Sequence, residues 1–216
     1  MAERNMLAVR GLCCQRDWRV IFRDIAFTLA SGDMLMLTGG NGRGKTSLIR
    51  ILAGLAPAQA GEVAWNGGSA LTDPAAHAER LVYVGHANPV PPLLTVRETL
   101  AFHAGLAGRP DRAAAALTCF GLARVADWPG HALSAGWKRR VGLARLLLDA
   151  RPLWLLDEPA AGLDAEARRE LQERIAEHCA LGGIAVFSSH GDITVTGARH
   201  LDLGGYSGLA NGETGA

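Results

Sequence analysis

Residues Gly39-Gly40-Asn41-Gly42-Arg43-Gly44-Lys45-Thr46 leave four positions between a first glycine and a closing Gly-Lys-Thr, the spacing of a phosphate-binding loop. Glycines let backbone N–H groups converge on an anion, and the helix that follows turns its positive end to the same point. Lys45 then reaches the β- and γ-phosphates of a nucleoside triphosphate, and the Thr46 hydroxyl takes Mg²⁺. Nucleotide contacts are expected from Gly39, Gly40, Asn41, Gly42, Arg43, Gly44, Lys45, Thr46 and Ser47. A second group of chemically able residues follows the apolar string Leu153–Leu156, which runs into Asp157-Glu158-Pro159. Asp157 suits the Mg²⁺ shell, and Glu158 can polarise a water that attacks the γ-phosphate.

The elements around these residues fit that chemistry. Met34 to Thr38 reads as a short buried strand into the loop, and Ser47 to Ala53 as the start of an amphipathic helix. Strand, Gly-rich turn and helix in this order set a ligand at the C-terminal end of an open α/β sheet. Met6 to Arg10 and Arg19 to Leu29 carry apolar or β-branched residues in strand patterns and predict two or three antiparallel strands. Glu62 to Trp65, Leu81 to Val84 and Ile184 to Ser188 predict further strands, the last ending at Ser189-His190. Thr95, with Glu98 three residues on, opens a helix with a capping box. The Ala- and Leu-rich stretch from there to about Val125 predicts helices, interrupted at Gly105, Gly108 and Pro110. Trp18 lies one strand before the loop, where its ring either meets an adenine or simply packs or stays exposed.

Composition bounds the reading. With 216 residues, 49% hydrophobic and 20% charged, the chain suits one α/β domain with a helical insert at approximately 87–150. A net charge of +1 and the lack of a basic block give no case for nucleic acid. Cys13, Cys14, Cys119 and Cys179 show no metal-binding spacing and read as reduced thiols. Ala2-Glu3-Arg4-Asn5 does not resemble a signal peptide, and no apolar run approaches the ~18 residues of a membrane span. The tail from Gly204 is Gly-rich and reads as loosely ordered.

Taken in order, GGNGRGKT, LSAGW, LWLLDEP, AGLD and SSH resemble the motif series of ATP-binding-cassette ATPases, from about Leu7 to about Leu203. LSAGW is similar to the LSGGQ signature, LLDEP to the Walker B segment, AGLD to the D-loop and Ser189-His190 to the switch-histidine segment. The resemblance implies a P-loop NTPase core with an antiparallel β subdomain and an inserted α-helical subdomain. It implies ATP and Mg²⁺ as ligands and a head-to-tail homodimer. In that dimer Ser134 and Gly136 of one copy close over the γ-phosphate held by the other, and His190 orients the attacking water. Two positions depart from the pattern. His86, in Tyr83-Val84-Gly85-His86, stands where the family has a glutamine, with Asn88 nearby, and Trp137 replaces the last glutamine of the signature.

Within the family the chain most resembles the ATPase subunit of the bacterial cytochrome c maturation haem exporter. The features are the compact length, Gly85-His86, the stretch Leu133 to Leu146, Gly182-Gly183-Ile184 and LCCQRD at Leu12 to Asp17. That resemblance implies integral-membrane permease partners and a peripheral place on the cytoplasmic face of the inner membrane. No residue reads as a direct haem ligand. The alternatives are a cassette for another exported substrate, a soluble non-transport cassette ATPase, and a non-hydrolysing module that uses ATP only to dimerise.

Overall fold

The computed structural model describes residues 4–87 and 90–206, so Asn88 and the tail beyond Tyr206 lie outside the described residues. Two sheets share the chain. The first is antiparallel, with β1 (Met6–Arg16) between β2 (Arg19–Ala30) and β4 (Ala60–Trp65), and the two-residue β5 (Gly68–Ser69) on the edge. The second is parallel. It runs β6 (Leu81–Val84), β7 (Leu153–Leu156), β8 (Ile184–Ser188), β3 (Met34–Thr38), β9 (Arg199–Asp202).

Every residue of β7 and β8 is buried, as expected of central parallel strands covered on both faces. The period of two divides them between two cores. Leu153, Leu155, Ile184 and Val186 pack with the antiparallel sheet and α1 (Lys45–Leu52). Trp154, Leu156, Ala185 and Phe187 pack with α6 (Ala165–Ala180) and the helices that lie between β6 and β7.

Those helices are α3 (Val96–Leu106), α4 (Ala113–Thr118) and α5 (Ala135–Ala144), linked by short 3₁₀ turns. Thr95 and Glu98 form the full capping box at the start of α3, a device that stabilises by about 1 kcal/mol. The apolar stretch before β7 is split: α5 begins already at Ala135 and ends at Ala144, and Arg145–Leu147 continue as a 3₁₀ turn. A helix α2 (Pro74–Ala78), capped by Asp73, and the edge strand β9 complete the fold. Among the described residues no helix is long and apolar enough to cross a membrane.

Candidate nucleotide site

The phosphate loop leaves β3 and enters α1 at Lys45. Gly44, with φ +96, is indispensable there: a Cβ would meet Ile21 Cγ2 at 2.5 Å and Phe22 Cδ1 at 2.9 Å. The loop therefore sits directly on β2 close to the β1–β2 hairpin. Trp18 lies at the tip of that hairpin and is 96% exposed. Lys45 is buried, and its Nζ donates to the carbonyls of Gly39 at 2.6 Å and Gly40 at 3.3 Å. The ammonium is thus folded back across the cradle in which a phosphate would lie.

Strand order explains how two distant segments meet. β8 separates β3 from β7, so the ends of β3 and β7 are about 10 Å apart, two strand spacings. Ser188 closes that gap from the end of β8. Its Oγ donates to Asp157 Oδ1 at 3.0 Å and accepts from the Glu158 N–H at 2.7 Å. From the other side Thr46 Oγ1 donates to the same Asp157 Oδ1 at 3.1 Å. Asp157 is 1% exposed, and its second oxygen, Oδ2, is buried without a hydrogen-bond partner among the described residues. An anionic oxygen in that state costs several kcal/mol unless a cation reaches it. The carboxylate and the Thr46 hydroxyl are hard oxygen donors, the type Mg²⁺ takes. The residues fit that ion.

Glu158 follows in a left-handed conformation, φ +49, which costs a non-glycine residue on the order of 1–2 kcal/mol. The turn sets its carboxylate between two histidines. His190 Nε2 lies 2.8 Å from Oε1, and His86 Nδ1 lies 3.5 Å from Oε2. His190 is itself placed by a tight turn after β8, where Asp192 Oδ1 accepts from Ser189 Oγ at 2.8 Å and from the His190 N–H at 3.3 Å. A base flanked by an imidazole, next to a cation site and a phosphate loop, can take a proton from water and pass it on.

The signature segment forms a separate part of the surface. Ser134 caps α5, accepting from the Trp137 N–H at 3.4 Å, and both Ser134 and Ala135 are exposed. A Cβ on Gly136 would approach Gly162 O at 3.2 Å, so this helix end leans on the Gly162 turn. Among the described residues no hydrogen bond joins Ser134 or Gly136 to the phosphate loop. Trp137 packs under Arg140, whose guanidinium carbon is 4.7 Å from the ring centre. Arg140 also pairs with Asp164 and donates to Phe120 O at 2.7 Å. Asp164 in turn caps α6 through the Ala167 N–H at 3.0 Å. Hydrogen bonding to that backbone amide, with Arg140 beside it, holds the Asp164 carboxyl below its ordinary range.

Sequence reasoning missed three residues of this site: Ser188, Asp192 and Arg139. Arg139 stands between Lys138 and Arg140, and its neighbours alone do not mark it as buried. Its phase is the signal, because it shares a helix face with the buried Gly142 and Leu143.

Comparison with known proteins agrees with this fold. The family model described as ABC transporter matches residues 22–161. The chain is 48% identical to the cytochrome c biogenesis ATP-binding export protein CcmA of Paramagnetospirillum magneticum, over 92% of this chain and 94% of that protein. It is 47% identical to CcmA of Rhodospirillum rubrum, over 92% and 85%. An ABC transporter ATP-binding protein of Pyrococcus furiosus shares the fold, with TM-score 0.80, 24% identity and coverage of 94% and 99%. The ATP-binding subunit of another ABC transporter superposes with TM-score 0.75 at 29% identity, over 86% and 80%. Motif order, sheet topology and a match across nearly the whole length make this chain a member of the ABC transporter family, an ATP-binding subunit of the CcmA type.

Proposed function

We propose that the chain hydrolyses ATP at this site to drive the haem exporter of cytochrome c maturation, from the cytoplasmic face of the inner membrane. The observation that carries the catalytic part is the Glu158 carboxylate, held 2.8 Å from His190 Nε2 beside the Thr46–Asp157 pair. The match to CcmA proteins supports the transport part, since their name describes them as ATP-binding export proteins of cytochrome c biogenesis.

In this reading Gly39 to Ser47 cradle the phosphates, and Lys45 exchanges its loop carbonyls for the β- and γ-phosphate oxygens. Thr46 and Asp157 would hold Mg²⁺, which would neutralise phosphate charge when bound. Glu158 accepts the proton of the attacking water, and His190 orients that water and the γ-phosphate. His86 lies against the same carboxylate and links the nucleotide site to the helices that follow β6. Trp18 offers a stacking face for adenine.

The exposed end of α5 needs a phosphate that its own loop does not bring. Two copies arranged head to tail satisfy it, with Ser134 and Gly136 of one closing over the ATP held by the other. Integral-membrane subunits of the cytochrome c maturation system would receive the resulting motion. Haem would pass through them.

The test has two arms. Glu158→Gln should cut turnover at least a hundredfold while ATP affinity stays within about threefold; undiminished turnover removes Glu158 as the base. Purification of the tagged chain from detergent-solubilised membranes should bring along small polytopic cytochrome maturation proteins. Recovery of unrelated permeases would discard the haem assignment and keep the ATPase.

A further inference from the structure

The helix that presents Ser134 sends one charged side chain inward. Arg139 is 3% exposed, and every hydrogen bond it makes among the described residues goes to a backbone carbonyl. Nε donates to Pro159 at 3.0 Å, Nη1 to Gly85 at 2.7 Å, and Nη2 to Asp157 at 2.8 Å and also to Glu158. Three of these carbonyls are consecutive, just past β7. In an extended chain successive carbonyls point to opposite sides, so one group reaches all three only because the chain turns at Glu158, φ +49. The fourth belongs to Gly85, next to His86 beyond β6.

Packing alone does not call for this arrangement. A buried cation is costly unless nearby charges and hydrogen bonds compensate it, and an aliphatic side chain would fill the space without that cost. Burial pulls the Arg139 guanidinium below its ordinary range, and the charges of Asp157, Glu158 and Asp192 act against that pull. The planar fork of arginine, with five fixed donors, can bridge four carbonyls on two segments, whereas a lysine ammonium on a flexible stem cannot.

We propose that Arg139 is a positioning residue for hydrolysis, clamping the Glu158 backbone and the His86 loop to the signature helix so that the Glu158 carboxylate stays aimed at the nucleotide. Movement of the Ser134 end of α5 then reaches the base and the His86 loop through one rigid side chain. The inference rests on the reading of Glu158 as the base.

The experiment compares Arg139→Lys, Arg139→Gln and Glu158→Gln, each in the full chain purified with its co-purifying membrane partners. Turnover at saturating ATP, KM for ATP and thermal unfolding are measured on the same preparations. Both Arg139 variants should lose at least tenfold in kcat with KM within threefold and a cooperative melt retained, and lysine should not rescue. Turnover within twofold of wild type in Arg139→Lys, with Glu158→Gln inactive, overturns the clamp and leaves the base standing. Loss of ATP affinity in step with turnover, or failure of both variants to fold, makes Arg139 a merely structural residue and overturns the proposal. A Glu158→Gln variant that still turns over sinks the base reading first, and the positioning role with it.

Discussion

Thr46 Oγ1 and Asp157 Oδ1, 111 residues apart in sequence, meet at 3.1 Å, while Asp157 Oδ2 stays buried and unpartnered among the described residues. The pair gives the nucleotide site a cost that Mg²⁺ would remove. Asp157→Asn removes the charge and keeps an oxygen for Thr46 and Ser188. Its metal-free melting temperature should change little, because the desolvation cost of the buried carboxylate is gone while Arg139 loses the favourable charge of Asp157. The Mg²⁺ concentration for half-maximal turnover should rise at least tenfold. A variant that melts lower without metal, with an unchanged Mg²⁺ requirement, would assign Asp157 to structure alone.

The two histidines beside Glu158 should not weigh equally. His190 lies at 2.8 Å and its backbone is fixed by Asp192, whereas the His86 side chain is 75% exposed at 3.5 Å. Replacing His190 by Ala should lower kcat by roughly 10²-fold or more, the scale of a lost proton-transfer partner. Replacing His86 by Gln should cost less than about tenfold in the same assay. Equal losses at both positions would mean that the distances misstate their roles.

Much of this site can be read from the chain because its parts are local. The phosphate loop, the Asp157-Glu158 pair and the Thr95–Glu98 box each occupy a few consecutive residues, and backbone geometry makes their types obligatory. The parallel strands also announce themselves, since strands buried on both faces are continuously apolar. What stayed hidden is set by distant neighbours. β9 is mostly exposed, with the pattern Arg199-His200-Leu201-Asp202, and only its place beside β3 makes it a strand. Arg139 reads as surface charge until the carbonyls of Gly85 and 157–159 are brought to it.

Trp137 stands where the family's signature ends in glutamine, and it gives Arg140 a surface to stack on at 4.7 Å. A cation over an indole contributes about 0.5–1 kcal/mol at a partly exposed site. Trp137→Gln should therefore lower the melting temperature by roughly 1–4 °C in a chain of this size. In a double-mutant cycle with Arg140→Met the coupling should be about 0.5–1 kcal/mol. A coupling near zero would show that Arg140 is held by Asp164 and Phe120 alone.

His178 stacks on Trp154 with ring centres 3.9 Å apart and planes within 5°, and it sits against Gly183 so closely that a Cβ there would meet Nε2 at 2.2 Å. Burial lowers its pKa from the ordinary 6.5 to about 4, with the backbone of Ile184 and Pro152 opposing part of that shift. The folded state therefore binds the proton less well than the unfolded chain between those two values. Stability should be full above pH 6.5 and fall as pH drops towards 4. From pH 7 to pH 5 this one group accounts for about 2 kcal/mol. Urea unfolding of wild type and His178→Gln at the two pH values isolates it, since the remaining carboxylates and histidines are common to both proteins. The wild type should lose about 2 kcal/mol more than the variant over that interval. Equal losses would mean that His178 takes up a proton inside the folded protein, with the Trp154 stack open to water.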